Sequence, residues 1–339
     1  MNTHSKSLLK KILLFIGVPV AVTYCIVAVI TLNTVNNSVT DLRTAELEAA
    51  SKAASNEIEG RFSTYLEISK QMAANNQFQT LFLNTMPGTD ITLAAGFAEA
   101  KKTMASIQET DPDNIMAAWI VDIDTSKLAQ SDGYLSGAHW DVTKRPWYAS
   151  MVEKQGAIMT EPYEDTSTKL TVVSVVAPVY KPGTNELIGA TGIDFNIDSI
   201  YSMLQEYKLG ETGYYILASG EGQLIYHPND SFKNINIAEA DMSDNVKSAM
   251  LDQTEGLLEF NNEGQESHGY VLTIGDTGWM VATGMPNNEF QDTYNNARTI
   301  LFIIFSLAVL IIAALIVMIS RRILAPIKKL EMYQWMCPV

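Results

Sequence analysis

Cysteine is nearly absent. The 339-residue chain has two, Cys25 and Cys337, and neither falls in the polar stretch from residue 33 to 298. That stretch has no disulfide to rely on, so a buried apolar core must hold it together. Histidine is almost as scarce. His4, His139, His227 and His268 are scattered, without the close spacing that ligates a metal. No nucleophile elbow or phosphate-cradling glycine loop is present, and no EF-hand spacing follows Asn229-Asp230. Glu161, Glu164 and Asp165 could serve a hydrolase as acid and base, but nothing around them supplies the rest of a catalytic set. The expectation is no metal, no cofactor and no enzymatic activity. Basic residues are also few: 23 Lys and Arg stand against 38 Asp and Glu, for a net charge of -15. A chain of that sign repels nucleic acid and anionic lipid head groups, so a nucleic-acid role is excluded. No long-period repeat runs through it.

What dominates instead is a pair of charge-free apolar runs, residues 12–32 and 299–320. Each is long enough to cross a bilayer core of roughly 30 Å as a helix. A cleaved signal peptide is the competing reading of the first. Its apolar part exceeds the roughly 7–15 residues of a signal core, and Asn33-Thr34-Val35-Asn36-Asn37 gives no small-x-small cleavage site. Lys6, Lys10 and Lys11 precede the first run, and Arg321, Arg322, Lys328 and Lys329 follow the second. Cationic flanks stay inside, so both termini are expected in the cytoplasm and residues 33–298 outside the cell membrane. That outer part holds 16 basic and 37 acidic residues, a formal -21.

Within it the hydrophobic period changes along the chain. Residues 37–85 are helical in pattern, with Ile58, Phe62, Leu66, Ser69 and Met72 on one face. A helix of that length beside a membrane span reads as a stalk, suited to pairing in a homodimer. Asn84-Thr85-Met86-Pro87-Gly88-Thr89 ends it, and a second helix is expected over 91–109. From Ile115 the period is that of strands: 116–123, 127–131, 157–160, 170–180 and 186–195, the last two joined as a hairpin by Lys181–Asn185. A first sheet module thus spans 91–196. A smaller one spans 197–287, with a helix at 197–207, hairpin pairs at 214–218 with 223–227 and 267–274 with 279–285, and a polar helix-plus-loop region between. A last helix from Asn288 runs into the second span.

Three segments of the first module carry the chemistry: Arg145-Pro146-Trp147-Tyr148, Glu161-Pro162-Tyr163-Glu164-Asp165 and Gly192-Ile193-Asp194-Phe195. They supply a cation, ring faces, a phenol and carboxylates. That set suits a small zwitterion, whose carboxylate Arg145 can hold through two parallel hydrogen bonds while the carboxylates hold an ammonium. The plain alternative is a salt bridge beside core aromatics. Pro146 is expected in a first helical turn, with the helix N-terminus reinforcing Arg145.

With these motifs the chain resembles the double Cache (dCache_1) sensor ectodomain of bacterial methyl-accepting chemotaxis proteins, over roughly residues 37–298. The resemblance implies an α+β fold, with two transmembrane helices enclosing a long stalk helix and two PAS-like antiparallel-sheet modules, and a ligand site in the membrane-distal one. It implies that Arg145 and Trp147 hold a ligand carboxylate, that Tyr148, Asp165 and Asp194 hold its ammonium, and that Tyr163 lines the pocket. Trp140 stands where the amino-acid-binding pattern has tyrosine, which leaves amines, purines and pyrimidines open beside amino acids. Residues 321–339 are similar to the opening of a HAMP relay domain, but Glu331–Val339 does not continue it, so the chain reads as truncated there. Coupling to a chemotaxis kinase and adaptor would need a cytoplasmic domain missing here. Sensor kinases and cyclic-dinucleotide enzymes use the same ectodomain and remain alternatives for the output, as does a passive adhesin for the whole.

Overall fold

The computed structural model describes residues 13–86, 88–165 and 168–335. Lys6, Lys10 and Lys11, and the last four residues, lie outside them. Two compact units are present: one comprises Glu46–Asn287, the other the two ends of the chain.

The chain-end unit is helical. A π-helical turn, Leu13–Gly17, leads into α1, Val18–Ala74, which is unbroken across both the expected span and most of the expected stalk. A short α7, Asn287–Phe290, precedes α8, Asp292–Trp335. The single turn at Gln291 separates them, where one continuous helix from Asn288 is expected. Both long helices contain stretches long and apolar enough to cross a membrane. Their side chains show why: Ile26, Ile30, Phe302, Ile303 and Leu310 are all more than half exposed, which water would penalise by roughly 1.5–3 kcal/mol each. Within this unit Tyr24 meets Phe305 edge-on, ring centroids 6.1 Å apart.

In the other unit α1 serves as the spine. Leu47, Ser51, Ala54, Ser55, Ile58, Phe62, Tyr65, Ser69 and Met72 recur at three- and four-residue steps and are buried. The small ones let backbone come close. Ser51 Oγ donates to Tyr270 O (2.8 Å) and Ser55 Oγ to Thr273 O (2.7 Å). About four turns further on, Ser69 Oγ donates to Thr191 O (3.2 Å) while Thr191 Oγ1 returns a bond to Ser69 O (3.0 Å). The helix stops at Ala74. The Asn75 side chain then accepts from Gln77 N (2.8 Å) and caps a separate α2, Asn76–Asn84. The stalk pattern therefore contains a break that no proline or glycine announces.

The first sheet follows a 3-10 turn, Ile91–Leu93, and α3, Phe97–Gln108. Its strands are β1 (Ile115–Asp122), β2 (Lys127–Gln130), β3 (Ile158–Met159), β4 (Tyr163–Glu164), β5 (Thr171–Tyr180) and β6 (Leu187–Asn196). They lie antiparallel in the order β2-β1-β6-β5-β3, with β4 also on β5. Helix α4, Tyr148–Lys154, covers part of one face. The second sheet follows α5, Asp198–Glu206, in the order β8-β7-β11-β10-β9. These strands are β7 (Tyr214–Ala218), β8 (Leu224–Tyr226), β9 (Gly256–Asn262), β10 (Gln265–Thr273) and β11 (Met280–Pro286), with α6 at Asp244–Leu251. Strand β9 was not expected. It is an edge strand with Glu259, Asn261 and Asn262 among its seven residues, so its polarity reads as loop. Phe62 of α1 joins the two sheets, its ring 5.5 Å from Phe195 of β6 and 5.0 Å from Trp279 beside β11.

Candidate ligand-binding site

The site starts from strand register. Strand β6 pairs with β5 so that Asp194 stands opposite Ser174, and with β1 so that Gly192 stands opposite Trp119. Residues directly opposite share a face, as do residues two apart, so Trp119, Ser174, Gly192 and Asp194 face the same way. A Cβ on Gly192 would lie 2.2 Å from Trp119 Cζ2. Glycine there is what lets the indole lie flat across β6 and bring its Nε1 to Asp194.

Trp119 Nε1 donates to Asp194 Oδ1 at 2.8 Å, and Ser174 Oγ donates to the same oxygen at 2.5 Å. The Ser174 proton being so used, the Tyr163 hydroxyl donates to Ser174 Oγ, at 2.6 Å. Both donors to Asp194 converge on Oδ1; among the described residues none reaches Oδ2. The carboxyl is 4 % exposed. Burial pushes its pKa up to about 7, against the lowering by Ser174 and Trp119, and the charges of Asp165 and Asp132 add to the rise. The Tyr163 phenol is likewise raised, first by burial and then by the charge of Asp194.

Asp165 follows β4 and is buried; its Oδ2 accepts from Thr168 N (2.7 Å) and Thr168 Oγ1 (2.8 Å). Arg145 follows the 3-10 turn Val142–Lys144, itself capped by Asp141. Its backbone is extended, as the residue before a proline must be. The guanidinium carbon sits 5.6 Å from the centre of the Trp140 ring, a cation–π contact that fixes the side chain in a half-buried position. Among the described residues no carboxylate pairs with it. Arg145 and the carboxylates of Asp165 and Asp194 line one cleft.

That cleft is lined by Trp140, Arg145, Trp147, Tyr163, Asp165 and Asp194, together with Trp119, Leu128, Gln130, Tyr134 and Pro146. Six of the seven residues expected from sequence thus come together. Tyr148 does not line it. As the first residue of α4 it points about 100° away from Trp147 around the helix, with its ring 6.3 Å from the Trp147 ring and packed on the same apolar cluster. Pro146 is also displaced from expectation. Trp147 is the N-cap and Pro146 precedes it, and the seven-residue helix is too short to make its N-terminus an anion site. The free volume of the cleft is about 30 Å³, room for one or two waters. Trp119 and Ser174 carry no motif and were missed, although counting back across the β5–β6 hairpin pairs Ser174 with Asp194. Trp119 had no local signal, since its partner is 75 positions away.

Two antiparallel modules strung on one long helix, the first with a charged aromatic cleft, define a double Cache sensor domain of the chemoreceptor type. Residues 32–294 match the Cache domain family dCache_1, and the chain belongs to that family. A 192-residue stretch is 30 % identical to the methyl-accepting chemotaxis protein TlpB of Bacillus subtilis, covering 56 % of this chain and 27 % of TlpB. The chain thus spans about a quarter of the length of the curated relatives it matches. In fold it resembles the ligand-binding domain of Mlp24 with asparagine (TM-score 0.57, 20 % identical, 76 % of this chain and 99 % of that one). It also resembles the ligand-binding domain of the Pseudomonas fluorescens chemoreceptor CtaA in complex with L-isoleucine (TM-score 0.55, 17 % identical, 77 % and 97 %).

Proposed function

We propose that this chain is the sensing part of a transmembrane chemoreceptor and that the cleft of its first sheet module binds a small amino acid or amine. The observation that carries the reading is Arg145 and Asp194 opening on one cleft without pairing with each other. A ligand carboxylate would take the guanidinium and an ammonium would take Asp194 Oδ2, with Asp165 adding negative charge. Trp140, Trp147 and Tyr163 would form the walls, and Tyr148 would act by backing Trp147. The solved neighbours carrying asparagine and L-isoleucine support the same class of ligand.

The cleft holds far less than an amino acid, so its walls must separate for entry and close on the ligand. Differential affinity for the two states would shift their populations. Signalling would then pass through the helix entering residues 299–320, with both termini cytoplasmic, in a homodimer joined through the stalk part of α1. Engagement of a chemotaxis kinase and adaptor belongs to the same proposal for the whole receptor.

The test is calorimetric titration of the chain in lipid nanodiscs with an amino-acid, amine and nucleobase panel. Binding of an amino acid that both Arg145→Ala and Asp194→Ala abolish is the expected result. Binding lost only in Asp194→Ala would reassign the ligand to an amine, and a nucleobase hit or no hit at all would sink the zwitterion assignment.

A further inference from the structure

The second sheet module has its own cleft, of about 520 Å³, and it is unlike the first. Tyr207, Tyr214, Tyr215 and Tyr226 line it, with Glu211 and Glu263. No lysine, arginine or histidine of the described residues is among its lining. Three segments converge to make it: the end of α5 with the turn after it, the residues following β8, and the β9–β10 hairpin.

Beneath it lies a buried polar network that the module's apolar core does not need. His227 and Ser267 are 1 % and 2 % exposed, and Asn262 is 6 %. Burial depresses the His227 pKa, which keeps the ring neutral. Asn229 N donates to His227 Nδ1 at 3.0 Å, which leaves the proton on Nε2 to be donated to Asn262 Oδ1 at 3.1 Å. Tyr214, which lines the cleft beside Asn262, donates its hydroxyl to Ser267 Oγ at 3.0 Å. Every member is satisfied, so the network locks Tyr214 and Asn262 at the cleft floor rather than leaving them mobile. Outside the cleft lining, the Lys233 ammonium pairs with Asp198 Oδ1 at 2.8 Å and also lies over a tyrosine ring. Lys233 Nζ sits 4.4 Å from the centre of the Tyr201 ring, which is 4.9 Å from that of Tyr226.

We propose that this cleft is a second ligand site, for a small organic cation of the quaternary-ammonium or alkylamine class. Ring faces attract a desolvated cation and the two carboxylates supply the long-range field. The proposal does not rest on the ligand of the first cleft. It commits to a free cation rather than a phosphocholine head group, because a phosphate would meet Glu211 and Glu263.

The chain in nanodiscs of anionic phosphatidylglycerol is titrated with choline, with its uncharged isostere 3,3-dimethylbutan-1-ol, and with phosphocholine. Choline is expected to bind, with both analogues weaker by about tenfold or more, the loss of one favourable charge contact. The Glu211→Gln/Glu263→Gln double variant, at two exposed positions where glutamine keeps an acceptor oxygen for Asn229, is expected to lose a similar factor. Arg145→Ala and Asp194→Ala are expected to leave choline binding unchanged. Absence of choline binding at 10-millimolar order, equal binding of the isostere or of phosphocholine, or loss of binding in Asp194→Ala would each overturn the assignment.

Discussion

At Asp194 two demands conflict: the sheet buries the carboxyl, and both of its donors, Trp119 and Ser174, meet the same oxygen. Its raised pKa has a consequence with a definite sign. The folded state holds this proton more tightly than the unfolded chain does, so between about pH 4 and pH 7 the native state binds more protons. Stability from this group is present at low pH and is lost as pH rises through about 7. Asp194→Asn keeps an acceptor for Trp119 and Ser174 without the charge. Its urea midpoint relative to the parent is expected to climb from pH 5 to pH 8; a constant difference would mean that the carboxyl titrates normally. Affinity for an ammonium ligand should run the other way, rising with pH through the same window. Gly192 is the second residue at which a single atom decides. Gly192→Ala places a methyl within 2.2–2.6 Å of the Trp119 ring. It should cost roughly 1–3 kcal/mol of stability in denaturant titration, as overpacked cores do, and weaken ligand binding by moving Trp119 off Asp194.

Among the elements, α1 has the most to explain. Its apolar face was readable from the three- and four-residue spacing, and its serines turned out to be the contact points with both sheets. A longer side chain at Ser69, fully buried between the helix and β6, would prise the two apart. Ser69→Leu is expected to lower the unfolding midpoint by an amount worth roughly 1–3 kcal/mol. The stop at Ala74 was not readable, because the signal is one asparagine whose side chain happens to meet an amide two residues on. Asn75→Ala should cost about 1 kcal/mol, measured by thermal unfolding. Strand β9 was hidden for a different reason. An edge strand has one neighbour and a wet face, so it carries too few apolar residues to show a period of two.

For the whole molecule, Phe62 is the residue through which the sheets share one core. Removing its ring leaves a cavity against both Phe195 and Trp279, so Phe62→Ala should cost about 3–5 kcal/mol. It should also separate the hydrogen-exchange protection of the two modules, which the shared ring contacts are expected to couple in the parent. The membrane orientation is tested at this scale as well. Glu239→Cys, at an exposed position of the second module, should react with a membrane-impermeant maleimide in intact cells; protection there until the cells are opened would reverse the topology.

The two long apolar runs, the charge balance and an α+β fold with two antiparallel sheets behind a long helix were legible in the sequence alone. They depend on periods of 3.6 and 2 and on charge beside apolar runs, which are local properties. The motif residues of the first cleft were also legible as a set, since Arg145, Tyr163 and Asp194 offer chemistry that a core does not use. Only the tertiary structure decided how they are deployed. It brought Trp119 to Asp194 across an absent side chain at Gly192, stacked Arg145 on Trp140 instead of pairing it with an acid, and turned Tyr148 away. Such contacts depend on strand register and on atoms tens of residues apart, and a long-range hydrogen bond leaves no trace in the spacing of its neighbours.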